Sequence, residues 1–134
     1  MAKSLEAQLR EIAARRNGDI EDIASASILR MGNRIIQESP VDEGEFINNW
    51  MSAFNGIDYS AVRPKNKGGS DSTAGLESKT SNVDLNIDFY FTNSKPYAHR
   101  LEYEGWSAQA PKGMVRVNAL YWDSIVNEEV NKRK

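Results

Sequence analysis

The chain has few residues with which it could perform covalent or metal chemistry. Its 134 residues include no cysteine and one histidine, His99, which excludes thiol nucleophiles and cysteine-ligated metal sites. A catalytic histidine needs an orienting carboxylate and usually a nucleophile within reach, and no strained Gly-x-Ser-x-Gly turn is present. His99 and Glu102 offer a single i, i+3 ligand pair, too few for a metal site. We therefore expect no enzyme, no metal and no cofactor.

Two other clusters contain residue types that bind ligands elsewhere. Asp42, Glu43 and Glu45 crowd one turn and have the chemistry of a carboxylate pair for glycosidic or metal catalysis. Nothing near them in sequence supplies a substrate platform, so a solvated turn is the preferred interpretation. The Gly-Gly-Ser run at 68–70 lacks both the spacing of a phosphate-binding loop and a following apolar helix. It is better interpreted as part of a linker.

Opposite charges are segregated in the middle of the chain. Arg63, Lys65 and Lys67 form a small basic cluster, whereas 41–58 contains four acidic residues and no basic one. Blocks of opposite sign suit head-to-tail self-association, although such clusters usually are solvated surface. We predict Arg63, Lys65 and Lys67 as a candidate interface.

Length and composition favour one core and a soluble protein. A chain of 134 residues fits a single domain, so 1–134 is expected to be one domain. The 17 basic and 19 acidic residues differ from the strongly basic composition of a nucleic-acid-binding domain. No run of about 18 apolar residues is present for a membrane helix, and the charged N-terminus does not resemble a signal peptide. We expect a cytosolic protein without a membrane segment.

The N-terminal third has the apolar period of a helix. Spacings of three, four and seven predict a weaker helix at 4–16 and a main helix at 19–38. The Asn-Gly-Asp run at 17–19 combines a turn dipeptide with an N-cap, so we expect a break or bend there. Pro40 should end the main helix. Gly32, inside it, indicates either close packing against a neighbour or a tolerated glycine.

The central region is predicted to contain two strands and a long polar loop. The first strand is expected at 50–54, and strict apolar alternation predicts the clearest strand at 83–91. Alternation implies one buried face, hence antiparallel pairing in an α+β fold with helices on one side. Between them, 55–82 is rich in Gly, Ser, Lys and Asn and is expected to be a flexible loop that cannot order itself alone.

The C-terminal third should begin with a short helix at 97–103 preceded by Pro96. A polar loop is expected at 104–113 and a short strand at 114–117. Apolar residues at helical spacing then predict a helix from 119 to the end.

Two runs resemble the signature of the neck or tail-completion proteins of long-tailed bacteriophages, the head-to-tail joining family. The first is Glu-Ser-Pro-Val-Asp-Glu-Gly at 38–44, followed by Phe46, Asn49 and Trp50. The second is 92–116, with Asn-x-x-Pro-Tyr-Ala-x-x-Leu-Glu and then Gln-Ala-Pro-x-Gly-Met-Val-Arg. Glu43 stands where the family often has Thr, and Phe46 stands where it often has Leu. The residues that carry the resemblance are Pro40, Asp42, Gly44, Trp50, Asn93, Pro96, Tyr97, Ala98, Leu101, Glu102, Gly105, Pro111, Gly113, Met114 and Arg116.

The resemblance implies an α+β subunit in which a long N-terminal helix and a C-terminal helix pack on a small antiparallel sheet. Six or twelve copies would form a ring at the head-tail junction of the virion, between the connector and the tail-tube or tail-terminator proteins. DNA would pass through the ring without specific binding, and the subunit would be made in the host bacterial cytoplasm. The loop 55–82 is the candidate assembly arm, ordered on a neighbouring copy or a partner ring.

Two alternatives to a neck protein stay open. One is another virion component of similar fold, such as a tail terminator or a minor capsid adaptor, because a fold alone does not assign a function. The other is a small hydrolase or metal-dependent enzyme centred on His99. Replacement of His99 by alanine would separate the enzyme from the ring component, since only the enzyme would lose turnover.

Overall fold

The computed structural model describes residues 4–133, with the side chains of 14–17 excepted, and confirms the α+β class. Within that part of the chain, five α-helices accompany a two-stranded antiparallel sheet. In chain order the elements are α1 (Leu5–Gln37), a 3₁₀ turn (Ile47–Asn49), β1 (Trp50–Phe54), α2 (Ser70–Thr80), β2 (Phe89–Asn93), α3 (Ala98–Tyr103), α4 (Val115–Ala119) and α5 (Trp122–Lys132).

The N-terminal helix α1 is continuous, so the expected break at 17–19 is wrong. The Oγ of Ser4 accepts a hydrogen bond from the backbone N–H of Ala7 at 3.1 Å and caps the first turn. Gly18 costs only ~1 kcal/mol relative to alanine in a helix interior. That cost is small beside the packing of the second half of the helix, which is why one weak position does not interrupt it.

The end of α1 lies where proline was predicted to stop it. Gln37 is the last helical residue, and Ser39 and Pro40 follow. The Ser39 hydroxyl donates to the carbonyl of Ile35 at 2.7 Å and accepts from the indole N–H of Trp50 at 2.9 Å. The buried hydroxyl therefore closes the helix and ties it to the first strand.

The sheet confirms β1 at Trp50–Phe54 but shifts the second strand towards the C-terminus. β2 covers only Phe89–Asn93, paired antiparallel with β1 from Trp50 opposite Asn93 to Phe54 opposite Phe89. Every residue of β1 is paired with a residue of 89–93, so 83–88 has no strand to pair with. Asp84 instead makes a turn, accepting from the backbone N–H groups of Asn86 at 2.9 Å and Ile87 at 3.1 Å.

The segment 55–82 is not a loop throughout, so the expected long flexible loop is wrong for its second half. Its second half forms α2, which lies against both α1 and β1. Leu76 is fully buried, and its Cδ1 lies 2.8 Å from where a Cβ of Gly32 would fall. One leucine seated on a glycine of α1 therefore anchors the helix, and the close-packing interpretation of Gly32 is confirmed.

The expected strand at 114–117 is also wrong, because Val115–Ala119 is a helical turn. The short helix predicted at 97–103 is confirmed as α3, and the C-terminal helix is confirmed as α5. α5 packs along α1, whereas the helix that contacts the sheet strand β1 most directly is α2.

The apolar core lies where the end of α1, the sheet and α3 meet. Its buried members are Ile35, Ile36, Phe46, Ile47, Trp50, Leu76, Leu101, Ala110 and Met114. None of the helices in residues 4–133 is long and apolar enough to cross a membrane.

Candidate functional site

The two motif runs, separated by about a third of the chain, meet in space. The backbone N–H of Val41 donates to Oε1 of Gln109 at 2.9 Å, and the Gln109 amide donates back to the Val41 carbonyl at 3.0 Å. Nearby, the Lys95 ammonium lies 2.6 Å from the Glu45 carboxylate, with the lysine side chain only 10% exposed. The structure therefore joins the first run to both ends of the second.

Within the first run, the tryptophan and glycine have packing roles. Trp50 is 4% exposed, and its ring stacks on Phe91 with centroids 5.0 Å apart. Gly44 has φ +90°, and a Cβ there would fall 2.5 Å from the backbone N of Lys67. Only glycine lets the chain at 66–67 cross so closely over this turn.

In the second run, Asn93 and Tyr97 connect back to the first. The Asn93 amide donates to the carbonyl of Phe46 at 2.8 Å, which fixes the turn after β2. The Tyr97 ring lies 6.0 Å from the Phe46 ring. Burial, with a smaller effect of the Glu45 charge, raises the pKa of Tyr97. Ala98 packs against the core beside it.

Glu102 is the hub of the second run. Its Oε1 accepts the backbone N–H groups of Met114 at 3.0 Å and Val115 at 2.8 Å, and its Oε2 accepts the N–H of Arg116 at 3.2 Å. These donors belong to the first turn of α4, which would otherwise leave them unsatisfied. The Arg116 guanidinium bonds both the carboxylate, at 3.1 Å, and the carbonyl of Glu102, and lies over the Tyr103 ring. A remote carboxylate thus caps α4.

The same contacts set the ionisation of Glu102. Burial alone would raise its pKa, but the hydrogen bonds from the backbone of Val115, Met114 and Arg116 and from the Arg116 side chain outweigh burial and lower the pKa. The carboxylate stays charged and acts as a structural acceptor.

The remaining motif residues form turns around this hub or belong to the apolar core. Gly105 has φ +60°, and a Cβ there would fall 3.0 Å from the carbonyl oxygen of Pro111. Leu101 and Met114 are buried in the core at 5% and 1% exposure. Pro96 is exposed in the turn before α3.

A groove opens between the two runs. It has a volume of about 550 Å³ and lies between the turn at 40–46 and the segment 97–109. Its aromatic and aliphatic lining residues include Phe46, Tyr97, Leu101 and Trp106, and polar side chains line the rest, namely Asp42, Glu43, Glu45, Ser107 and Gln109. Trp106 is 58% exposed, and Asp42 stands exposed at the rim. An open groove with an exposed tryptophan is typical of a surface that takes an apolar segment of a partner.

The candidate interface at Arg63, Lys65 and Lys67 is largely satisfied within the chain. The Arg63 guanidinium donates to the Trp50 carbonyl at 2.9 Å. Lys65 pairs with Glu43, and this pairing lowers the pKa of Glu43 and raises that of Lys65. Lys67 is exposed. The basic and acidic blocks therefore meet within one subunit at Lys65 and Glu43, and the interface at Arg63, Lys65 and Lys67 stays a prediction.

Two adjacent buried asparagines hold the chain around that cluster. The Asn48 side chain accepts from the N–H of Asp71 at 2.8 Å and donates to the Pro64 carbonyl at 2.8 Å. Asn49 Oδ1 accepts from the N–H of Arg63 at 3.0 Å. Both amides are fully buried. The segment 63–72 is thus fastened to the body of its own subunit.

His99 lies apart from all of these contacts. It is exposed on α3 with its ring 4.9 Å from the Tyr103 ring. The Glu102 carboxylate, considered above as a metal ligand together with His99, instead accepts hydrogen bonds from the backbone N–H groups at the start of α4. In residues 4–133, no group of three or more His, Asp or Glu side chains is placed to hold a metal ion.

Two features of the site were not predicted as site residues. Trp106 forms a wall of the groove and Gln109 joins the two runs. Trp106 could have been noticed in the sequence, because it is a tryptophan in an otherwise polar loop. Gln109 stands in the second run, but its bond to Val41 depends on tertiary structure and could not be predicted from the motif.

Comparison of the chain with protein-family models, curated protein sequences and solved structures finds no match.

Proposed function

We propose that the chain is a structural subunit of a ring at the head-tail junction of a long-tailed bacteriophage. Its partners would be further copies of itself, the connector on the head side, and the tail-tube or tail-terminator proteins on the tail side. The ring would leave a channel for DNA and would perform no turnover. Its site of action would be the virion neck.

The observation that carries this proposal is the meeting of the two runs through Val41 and Gln109. The runs supply the resemblance to neck proteins, and chance matches at distant positions have no reason to form one unit. Here Trp50, Glu102 and Gly113 all have specific packing or hydrogen-bonding roles within that unit. This supports a resemblance that concerns a shared fold unit.

Unpartnered apolar surfaces support assembly. The groove exposes Trp106, and the N-terminal half of α1 exposes Leu5 and Leu9 at 73% and 58%. These two surfaces differ in shape and position. A ring needs a heterologous interface, in which two different surfaces of each subunit fit one another.

Charge supports a channel through which DNA slides. The formal net charge is −2, and lysines and arginines are engaged in ion pairs across the described surface, including Arg30, Lys65, Lys95 and Arg116. Each phosphate contact would hold DNA in a salt-dependent way, so the pairing of most cations in the described part of the chain would weaken DNA binding. Tight binding of duplex DNA by the purified chain at physiological salt would contradict this part of the proposal.

A tail terminator or another head-tail adaptor is the second candidate, because the same subunit geometry serves any ring in the virion. The hydrolase centred on His99 has less support. In the described part of the chain, no hydrogen bond joins His99 to a serine or a carboxylate, and its ring packs on Tyr103.

Location and genetics together test the proposal. A virion carrying the chain with a C-terminal epitope tag should show label at the neck, and loss of the gene should leave filled heads and finished tails that do not join. A His99→Ala variant supplied in trans should restore joining as well as the unchanged chain does. Label at the tail tip or on the capsid, or loss of joining with His99→Ala while the protein stays folded, would contradict the proposal.

A further inference from the structure

The first half of α1 has an apolar stripe that no other element of the described part of the chain covers. α1 has 33 residues, which gives a length of about 50 Å, against about 30 Å for a small domain. Four large apolar side chains in its first half are 40% to 73% exposed, Leu5, Leu9, Ile12 and Ile20. At 100° per residue they fall within an arc of about 80°, on which the sequence also places Arg16, between Ile12 and Ile20. We call these four residues the stripe.

The stripe continues a face of α1 that is already an interface. Farther along the same arc lie Ser27, which is fully buried, and Arg30, which bonds Glu129 of α5 at 2.8 Å. α5 covers this face over the second half of α1 and ends at Lys132. The stripe is therefore the uncovered continuation of a helix-packing surface.

The groove has the capacity for such a stripe. Its volume is about 550 Å³, and the site left by one buried leucine measures roughly 150 Å³. Three aliphatic side chains from one helix face would therefore fill most of it. Leu5, Leu9 and Ile12 are three such side chains on two successive turns, and Trp106 supplies an exposed aromatic wall for them to contact.

The stripe and the groove lie at opposite ends of α1. The groove begins at Pro40, just after the last turn of the helix, and Ile12 is about 38 Å from Gln37 along the axis. Contacts between two stripes would close as a dimer and leave both grooves empty. Contact of one stripe with the next groove instead repeats in one direction, as a ring requires.

We infer that the stripe of one copy binds in the groove of the next copy. This inference rests on the proposed ring. It assigns the ring interface to Leu5, Leu9 and Ile12 on one side and to Phe46, Leu101 and Trp106 on the other, and it replaces 55–82 as the assembly element.

Mixing two defective variants tests this assignment. Leu9→Asp removes the stripe and Trp106→Asp removes the groove wall. Both residues are more than half exposed, so each variant should fold, and Trp106→Asp should lower the Tm only slightly through the loss of its contacts with Tyr97 and Arg100. In sedimentation velocity, each variant alone should be monomeric at concentrations at which the unchanged chain forms multimers, because its affinity for a second copy is reduced at least 100-fold. An equal mixture should form 1:1 dimers, because each variant keeps the surface that the other lacks. Leu120→Asp, at a residue 83% exposed, is the matched control and should assemble normally.

Disulfide trapping covers the case in which the unmixed chain is monomeric in solution. The chain has no cysteine, so Leu9→Cys and Ala108→Cys introduce the only thiols, and Ala108 lines the groove without forming its aromatic wall. Oxidation of the mixture should give a cross-linked dimer of the two variants in large excess over dimers of either variant alone. A Leu9→Cys homodimer as the main product would show that stripes pair with each other.

The outcomes separate the two proposals. If Trp106→Asp still forms multimers, whether or not Leu9→Asp does, the stripe-groove interface is wrong. The proposal of a neck ring is not affected by that result. Absence of both complementation and cross-linking also overturns the stripe-groove interface, and points to another neck protein as the cover of the stripe. Tagged virions without label at the neck overturn the ring itself, whatever the cross-linking shows.

Discussion

The carbonyl oxygen of Glu102 lies 2.5 Å from the place where a Cβ atom of Gly113 would fall, and the Glu102 carboxylate lies closer still. Gly113 also has φ +87°, a backbone conformation that side chains rarely adopt. Glu102 and Gly113 therefore depend on each other, because Glu102 can cap α4 only if position 113 has no side chain.

Gly113→Ala should destabilise the fold by about 2–4 kcal/mol, since it adds backbone strain and displaces the Glu102 carboxylate from the N–H groups that it accepts. Urea unfolding followed by circular dichroism measures the change. Gly18→Ala is the matched control, because its Cβ would meet nothing within 4 Å and should stabilise α1 by up to ~1 kcal/mol. Equal unfolding midpoints for Gly113→Ala and the unchanged chain would refute the coupling.

The contact of Gly32 with Leu76 should show strong coupling in a double-mutant cycle. Gly32→Ala should cost about 1–3 kcal/mol by overpacking, despite the better helix propensity of alanine, and Leu76→Ala should cost about 2–5 kcal/mol by leaving a cavity. The double variant should lose at least ~1 kcal/mol less than the sum of the two, because the smaller side chain makes room for the new methyl group. Additive losses in urea unfolding would show that the two helices do not touch there.

Asn48→Ala should loosen α2 more than it loosens the rest of the fold. It leaves the Asp71 N–H and the Pro64 carbonyl without their buried partner, at a cost of about 1–3 kcal/mol for each group that stays unsatisfied. Hydrogen exchange at residues 70–80 should speed up, while exchange in β1 changes less. Asn86→Ala is the control, since Asn86 is exposed. Uniform acceleration across the chain would contradict a local role.

Glu129 should make stability depend on pH in the acid range. Its side chain is 5% exposed and binds Lys132 at 2.9 Å, Arg30 at 2.8 Å and Arg133 at 3.2 Å. The bond from Lys132, followed by those from Arg30 and Arg133, lowers the pKa of Glu129 to about 2 against the opposing effect of burial. Because the pKa of Glu129 is lower in the folded chain than in the unfolded chain, where it is near 4.3, the ionised carboxylate stabilises the fold at pH values above about 4.3. This contribution is lost as the pH falls through about 2.

The size of this effect is roughly 1–3 kcal/mol, because the cationic partners are 31% to 64% exposed and solvent screens them. Glu129→Gln should lower the free energy of unfolding at pH 7 and flatten its decline between pH 5 and pH 2. Glu128→Gln removes the exposed partner of Arg30 and should change the pH profile less. A Glu129→Gln profile parallel to that of the unchanged chain would show that other carboxylates set the acid response.

Local chemistry was enough to place several elements from the sequence alone. Pro40 ends α1 because a proline is incompatible with helical backbone at the preceding residue, and the structure ends the helix at Gln37. The apolar residues of 50–54 predicted β1 with its observed bounds. In each case the cause lies within a few residues of the effect.

Elements that depend on distant partners could not be placed in this way. α2 has one large apolar residue, Leu76, and forms because Gly32 receives that side chain and Asn48 caps the helix. The segment 114–117 has the composition of a strand, yet its N–H groups bond to Glu102 and it becomes helical.

The apolar alternation at 83–91 illustrates the same limit. A strand needs a paired neighbour, and β1 offers only the five residues that pair with Phe89–Asn93. The sequence therefore determined the helix stops, the first strand and the residues of the two runs. Tertiary structure decided which polar segments would order, because their buried partners come from 12 to 44 residues away, too far for local periodicity to register.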